Sequence, residues 1–108
     1  VCAPLKDADP DFPFTVEKRQ GAPRPKPAKA GGSDHAYFAI NGVPTIGFNL
    51  KDPKGYDFSY GEIWHTERDT YNKSIPEYQE HTAICTAVVL YGLANLDHIL
   101  SREGLYAE

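Results

Sequence analysis

The longest apolar pattern in the sequence, which begins near Ser74, limits the possible folds more than any other feature. Ser74 lies three residues before Glu77, with Pro76 between them, a pattern typical of a capped helix start. Gly92 costs about 1 kcal/mol relative to alanine inside a helix, so we expect a close neighbour there. Apolar residues recur at helical spacing to about Ser101, at Tyr78, Cys85, Val88, Val89, Leu96, Ile99 and Leu100. A helix with so broad an apolar face needs a sheet to cover it.

The sequence offers little sheet for that helix. Residues 12–18, FPFTVEK, alternate apolar and polar side chains, but Pro13 restricts them to an edge strand at best. Residues 43–48, VPTIGF, are apolar and partly β-branched, which predicts a strand buried on both faces. Two such strands cannot cover a long helix, so we expect the rest of the sheet to precede Val1.

A short helix and an extended loop are predicted ahead of the second strand. In SDHAYFAING, Ser33 or Asp34 can cap a helix start, and Asn41-Gly42 favours a left-handed helix end. Residues 20–32 are dense in proline, glycine, lysine and arginine, so they predict an exposed, extended loop.

Composition excludes several classes of protein. Hydrophobic residues make up 41% of the 108 residues and charged residues 24%, which is typical of a globular chain and not of a disordered one. A net charge of −4 without a basic cluster argues against a nucleic-acid partner. No apolar run is long enough for a membrane span, and from the sequence we expect no signal peptide within these residues. The chain starts at Val1 and contains no methionine, so we expect a piece of a longer protein.

Cys2 and Cys85 allow one pairing, and their spacing does not decide whether it forms. They would be joined in an exported protein or remain free thiols in a reducing compartment. Cys85 lies in the apolar run TAICTAVVLYG, where a thiol packs as a small core residue. The absence of a C-x-x-C pattern argues against zinc binding by this pair.

The segment YGEIWHTERDTYNKS, residues 60–74, contains the densest group of chemically active side chains. His65 directly follows Trp64, and Asp69 lies four residues further on. Irregular segments between a strand and a helix often carry active sites, and imidazole is the commonest metal ligand. One histidine cannot hold zinc, which needs three or four ligands, so this segment alone is weak evidence for a site.

The other histidines and a nearby serine give weaker hypotheses. His81 and His98 fall within the helix pattern and are expected to be structural. Ser33, Asp34 and His35 are consecutive, so their side chains diverge. They cannot form a catalytic triad, in which a histidine base contacts both the serine nucleophile and the aspartate. The sequence also lacks a G-x-S-x-G elbow, so a serine hydrolase is not expected.

Two motifs together resemble the C-terminal part of the catalytic domain of the co-catalytic zinc aminopeptidase and glutamate carboxypeptidase family. The first is GGSDHAYFAINGVPTIGF, in which a small-Ser-Asp-His-x-x-Phe helix leads into a Gly-Val-Pro strand. The second is the aromatic-His-Thr-x-x-Asp-Thr motif formed by residues 64–70. The resemblance covers residues 31 to about 100, and residues 1–30 offer no match on which we would rely.

The resemblance implies an α/β fold, a three-layer α/β/α sandwich around a mixed sheet, of which this chain is the C-terminal portion only. Residues 1–30 would then be an N-terminal edge strand and a Pro/Lys-rich loop, and residues 31–108 the C-terminal part of the catalytic domain. The family carries two zinc ions. Its H-x-D segment and Glu-Glu pair, which supply other ligands and the general base, are not in this sequence. We therefore expect the chain to be inactive alone.

The resemblance also assigns roles to four residues. His65 matches the last metal ligand, and Asp34 and Asp69 are candidates for holding the ligand loop or bonding the far ring nitrogen. Capping and local loop bonding are the simpler roles for these two aspartates. Trp64 stands where the family commonly has tyrosine. Because an indole only donates a hydrogen bond, we expect Trp64 to line a substrate pocket, and core packing is the alternative.

The implied reaction is hydrolysis of a peptide-type amide by metal-activated water in a zinc exopeptidase resembling an aminopeptidase. Its expected partners are a peptide or small amide substrate and the missing N-terminal part of the domain. Self-association of the isolated chain is also expected, because a sheet edge and an apolar helix face would be uncovered. A glutaminyl cyclase-like zinc acyltransferase and a non-catalytic binding domain of this fold are the alternatives. The sequence does not specify the compartment, although relatives of this type are often exported.

Overall fold

The computed structural model describes residues 1–18 and 20–107, which fall into two compact units. Unit 1 comprises Val1–Val16 and Phe48–Leu96, and unit 2 comprises Glu17–Gly47 and Asp97–Glu108. The elements in chain order are a 3-10 turn Ala3–Leu5, β1 Arg24–Pro25, α1 Ala36–Ile40, α2 Tyr60–Ile63, a 3-10 turn Tyr71–Lys73, α3 Pro76–Ala94 and β2 Tyr106–Ala107. In the described part of the chain, no helix is long and apolar enough to cross a membrane.

The predicted long helix is confirmed as α3, but it is shorter than expected at both ends. Pro76 occupies its first turn and Ile75 is the N-cap residue, which makes no side-chain capping bond. Ser74 therefore lies one position too early to cap, and its hydroxyl accepts a hydrogen bond from the Gln79 side chain instead. The helix ends at Ala94, so the predicted continuation to about Ser101 is wrong.

The core of unit 1 lies along one stripe of α3. Cys85 and Val89, one turn apart on the helix, form a buried cluster with Leu5 of the N-terminal 3-10 turn. Four partly buried side chains pack against this cluster: Cys2, Phe14, Val88 and Leu93. At the other end of α3, the buried ring of Tyr78 meets the buried Phe12 ring edge-on, with the ring centroids 5.9 Å apart.

The expected close approach at Gly92 is confirmed. A Cβ atom built on Gly92 would lie 2.6 Å from Cγ1 of Val1, closer than real Cβ atoms come to a neighbour. The first residue therefore packs directly on the backbone of α3. The lack of a side chain at Gly92 is what leaves room for Val1.

Neither predicted strand forms in the structure. Phe12 is buried and Phe14 half-buried, as their alternation suggested, but the described part of residues 12–18 is irregular and Val16 is 62% exposed. Residues 43–48 are also irregular, and Ile46 is 59% exposed where burial on both faces was expected. A strand needs a neighbour for its backbone N–H and C=O groups, and the described residues supply none for either segment.

Unit 2 contains one short parallel strand pair and helix α1. β1 pairs with β2 in the register Arg24 to Tyr106, and the Tyr106 hydroxyl donates to the carbonyl oxygen of Ala39 in α1 at 2.8 Å. The 20–32 segment is exposed apart from the half-buried Ala30, as predicted, although it also contains β1. None of the described residues of unit 2 is buried.

The C-terminal end of α1 was predicted correctly, but the capping of its N-terminal end was not. Gly42 has a φ of +77°, which confirms the left-handed helix end. At the start, His35 is the N-cap residue and makes no side-chain capping bond. Capping by the side chain of Ser33 or Asp34 is therefore wrong, since it is the backbone carbonyl of Ser33 that accepts the Ala36 N–H, at 2.9 Å.

Candidate functional site

His65 lies directly after the short helix α2, in a left-handed backbone conformation. The Trp64 N–H donates to the carbonyl of Tyr60 at 3.0 Å and closes the last turn of α2. His65 then has a φ of +57°, which is uncommon for a residue with a side chain. Such conformations are costly and cluster at functional sites, although Asp52 and Asp57 also have positive φ values among the described residues.

Thr66 holds the chain on the far side of His65. Its hydroxyl lies 2.8 Å from the carbonyl oxygen of Ile63, to which it donates, and accepts the Arg68 N–H at 3.2 Å. Its carbonyl accepts the Asp69 N–H at 3.2 Å. One threonine thus ties the end of α2 to the following loop, so the turn carrying His65 is supported from both sides.

Three aromatic rings form a stack that ends at the candidate ligand. The rings of Tyr60 and Trp64 lie 5.7 Å apart at 18°, and those of Trp64 and His65 lie 3.9 Å apart at 20°. Trp64 is 52% exposed, so it does not pack in a core among the described residues. The stack restricts the orientation of the His65 imidazole while leaving the rings accessible.

The two aspartates predicted to support His65 differ in where they lie. Among the described residues, the Asp69 carboxylate makes no side-chain hydrogen bond, although Asp69 lines an open groove beside α3. Asp34 is exposed and belongs to unit 2, whereas His65 belongs to unit 1. The supporting roles of both aspartates therefore stay predictions.

A polar network fastens the segment before α2 to the start of α3. The Asp52 carboxylate accepts the Tyr78 hydroxyl at 2.5 Å and the Tyr56 N–H at 2.8 Å. The Tyr78 oxygen in turn accepts the Lys54 N–H at 2.9 Å, and Lys54 pairs with Glu77 at 2.7 Å. This network holds the loop that leads into α2, the helix directly before His65.

Comparison with protein families matches residues 12–89 to Peptidase family M28. The chain belongs to this family. The matched range contains the whole His65 loop and most of α3. It also includes residues 12–30, which lie outside the range that the two motifs indicated. No curated protein and no solved structure matches the chain.

Membership of Peptidase family M28 confirms the broad resemblance to zinc-dependent peptidases. The family match associates this chain with peptidase activity, which is a hydrolase activity. The match does not distinguish aminopeptidases from carboxypeptidases within the family.

Zinc does not fit the described residues of this M28 chain by themselves. The His65 imidazole is a suitable donor, but no group of three or more His, Cys, Asp or Glu side chains that could hold a metal occurs within residues 1–18 and 20–107. Zinc requires three or four ligands. No catalytic step is therefore assigned to these residues alone.

Zinc titration of the isolated 108-residue chain is expected to give weak binding, no tighter than the micromolar range, because one imidazole cannot replace a full ligand set. Isothermal calorimetry at neutral pH measures this directly. A stoichiometric site of submicromolar affinity would contradict the expectation. His65→Ala serves as the matched control for any residual heat.

Several residues that shape this region were not predicted from the sequence. Tyr60 extends the aromatic stack, Thr66 supports the turn, and Asp52 anchors the preceding loop. Asp52 was marked in the sequence only by the turn-forming run Asp-Pro-Lys-Gly that it starts. Its φ of +44° shows that the turn begins in a left-handed conformation.

The Asp52–Tyr78 contact predicts a loss of stability on both sides of neutral pH. The hydroxyl of Tyr78 lowers the pKa of Asp52, so its contribution is present above the ordinary carboxylate pKa of 3.8 and is lost as the pH falls through the lower folded-state pKa. Burial, and then Asp52, raises the pKa of Tyr78, so its contribution is lost as the pH rises through that higher folded-state pKa.

We expect Tyr78→Phe to reduce the pH dependence of unfolding at both extremes, because the phenol is needed for both shifts. Denaturant midpoints measured across the pH range test this. Tyr71→Phe is the control, since Tyr71 is 94% exposed and makes none of these contacts. A Tyr78→Phe variant whose pH profile parallels that of the unaltered chain would contradict the assignment.

Proposed function

We propose that this chain is the C-terminal part of the catalytic domain of a zinc-dependent exopeptidase, acting on peptides as an aminopeptidase does. One observation carries the proposal. The residue that matches the family's last metal ligand, His65, lies inside the M28 match on an exposed, left-handed turn. A residue kept in a strained conformation at the surface supports a functional role over a packing role.

The side chains near His65 have distinct proposed roles. His65 would be a ligand of one of two zinc ions, which would supply a bound water of lowered pKa when present. Asp69 holds the ligand loop, and Trp64 forms a wall of the substrate pocket. The supporting role of Asp34, which the resemblance suggested, stays a prediction. The stacked, half-exposed indole of Trp64 supports contact with a substrate side chain, and its N–H can only donate a hydrogen bond. The general base and the remaining ligands lie outside this chain.

The α/β/α sandwich remains part of the proposal, and the surface of α3 supports it. Apolar side chains on this helix face several directions, and Ile84, Leu90 and Tyr91 are 51%, 60% and 74% exposed. A helix that is apolar around most of its surface belongs inside a larger layer structure. An open groove of about 1030 Å³ runs beside α3, lined by apolar residues such as Phe48 and Ile63 and by polar residues such as Asp69.

We assign the occupant of this groove to the upstream part of the same catalytic domain. The buried apolar residues in the described chain are confined to unit 1 and are few: Leu5, Phe12, Tyr78, Cys85 and Val89. A core of this size is marginal for an independent domain. The upstream strands would supply the layer that α3 lacks.

The isolated chain is accordingly expected to self-associate, because the exposed apolar face of α3 remains uncovered. Multi-angle light scattering over a range of concentrations measures the molecular mass directly. A dimer or larger species is the expected result. A monomer of 12.0 kDa at all concentrations would contradict it.

Assays of the full-length, zinc-loaded protein test the proposed activity. Aminoacyl-arylamides and dipeptides are offered as substrates, with release of the free amino acid or arylamine as the readout. Hydrolysis that is lost with a chelator and restored by zinc is the expected result. Ammonia release from glutaminyl peptides would instead favour the cyclase alternative. A protein that retains no zinc and cleaves none of these substrates would point to a binding domain.

A further inference from the structure

The N-terminal residues lie along the same stripe of α3 that carries the second cysteine. Cys85, Val89 and Gly92 follow one another at helical spacing on this stripe. Leu5 is buried against Cys85 and Val89, and Cys2 packs against the same cluster. The contact of Val1 with Gly92 brings the N-terminal backbone close to the helix.

The two thiols therefore share one small hydrophobic cluster, although they are far apart in the sequence. Cys2 is the second residue of the chain, and Cys85 lies in the middle of α3. Cys2 is half-buried and Cys85 is buried, and both are free thiols in this structure. The fold thus brings together two groups that the sequence separates, which is the requirement for a pairing within one chain.

We propose that Cys2 and Cys85 form an intramolecular disulfide bond in an oxidising compartment, which fastens the N-terminal segment to α3. The bond would join the first residues of the chain to the middle of its longest helix. This site is separate from the His65 loop, and it stands whether or not the proposed peptidase activity is correct.

The proposed reaction is thiol–disulfide exchange with a small disulfide such as glutathione disulfide. The thiolate of Cys2, the more accessible group, attacks one sulfur of glutathione disulfide and releases one glutathione. The thiolate of Cys85 then attacks the Cys2 sulfur of the mixed disulfide and releases the second glutathione. Two thiol protons are lost, and the two electrons reduce glutathione disulfide to two molecules of glutathione.

The surroundings of Cys85 affect the second step, in which the Cys85 thiolate attacks the mixed disulfide. Burial, and then the nearby Cys2, raises the pKa of the Cys85 thiol, which makes the free thiol a poor nucleophile. The His81 Nε2 atom lies 3.4 Å from the Cys85 sulfur, and the His81 ring is stacked on Phe12, so an imidazole nitrogen is held beside the thiol.

Oxidation of the chain in glutathione redox buffers tests the proposal, with intact mass as the readout. The expected product is a species that has lost the mass of two hydrogen atoms per chain and no longer reacts with iodoacetamide. Because the fold holds the thiols together, the equilibrium constant for pairing should be about 30- to 1,000-fold higher in buffer than in denaturant.

Single-cysteine variants supply the matched controls. Cys85→Ser should stop at a glutathione adduct on Cys2, and Cys2→Ser should remain largely unmodified because Cys85 is buried. An unaltered chain that stops at the Cys2 adduct, or that forms only intermolecular disulfides, would overturn the proposal. So would a pairing constant that is the same in buffer and in denaturant.

Discussion

Replacing His65 with alanine in the full-length, zinc-loaded protein is expected to lower kcat/KM by about 100-fold or more and to reduce the zinc content. Mutating a group that only supports a metal ligand typically costs about 10- to 100-fold in metal affinity or activity. Removing a ligand itself should therefore cost at least the upper end of that range. The measurements are zinc per protein by elemental analysis and steady-state kinetics on a dipeptide or an aminoacyl-arylamide.

His98→Ala is the matched control for this experiment. His98 is 65% exposed and paired with Asp97 at 2.6 Å, and it lies beyond the residues matched to Peptidase family M28. We expect this variant to keep its zinc content and its activity. A His65→Ala protein that retains both would contradict the proposed ligand role, even if the full-length protein proves to be a peptidase.

The parts of the fold that were predictable from sequence depend on local interactions. The helical spacing of Tyr78, Cys85 and Val89 correctly placed three buried residues on α3, because that spacing follows from helix geometry alone. Gly92 correctly marked a close approach, since glycine inside a helix is costly without a packing reason. The start of α3 was predicted one residue too early, with Ser74 as the cap. In the structure Pro76 lies in the first turn, and the N-cap is Ile75.

The strands were mispredicted because a strand is not a local structure. Apolar alternation at residues 12–18 and the apolar run at residues 43–48 describe which side chains would be buried if a sheet were present. Backbone pairing needs a neighbouring strand, and the described residues do not provide one for either segment. The apolar patterns of these two segments therefore fit a sheet whose neighbouring strands the described residues do not provide.

The roles of the candidate site residues stay predictions, and the backbone geometry around them was not predictable from the sequence. The order of the motifs was enough to select His65, Trp64 and Asp69. The left-handed turn at His65 and the support from Thr66 depend on backbone geometry, which no residue type in that segment specifies. The sequence contains no glycine at the turn that would have signalled it.

Leu5→Ala is expected to destabilise the chain by about 2–5 kcal/mol, the usual cost of removing a buried leucine side chain. Leu5 is 5% exposed and connects the N-terminal turn to Cys85 and Val89 on α3, so its loss leaves a cavity at the centre of the cluster. Because domains are stable by only about 5–15 kcal/mol, this is a large fraction of the total. Urea unfolding followed by the far-ultraviolet circular dichroism of α3 measures the change.

Ile99→Ala is the control for that experiment, because Ile99 is 89% exposed and its truncation removes almost no buried surface. A surface change of this kind should alter the free energy of unfolding by no more than about 0.5 kcal/mol. Equal losses for the two variants would mean that the Leu5 cluster is not the core of unit 1. A large loss for Leu5→Ala alone would establish that the N-terminal turn is an integral part of the packing on α3, and that the helix depends for its stability on residues at the opposite end of the sequence.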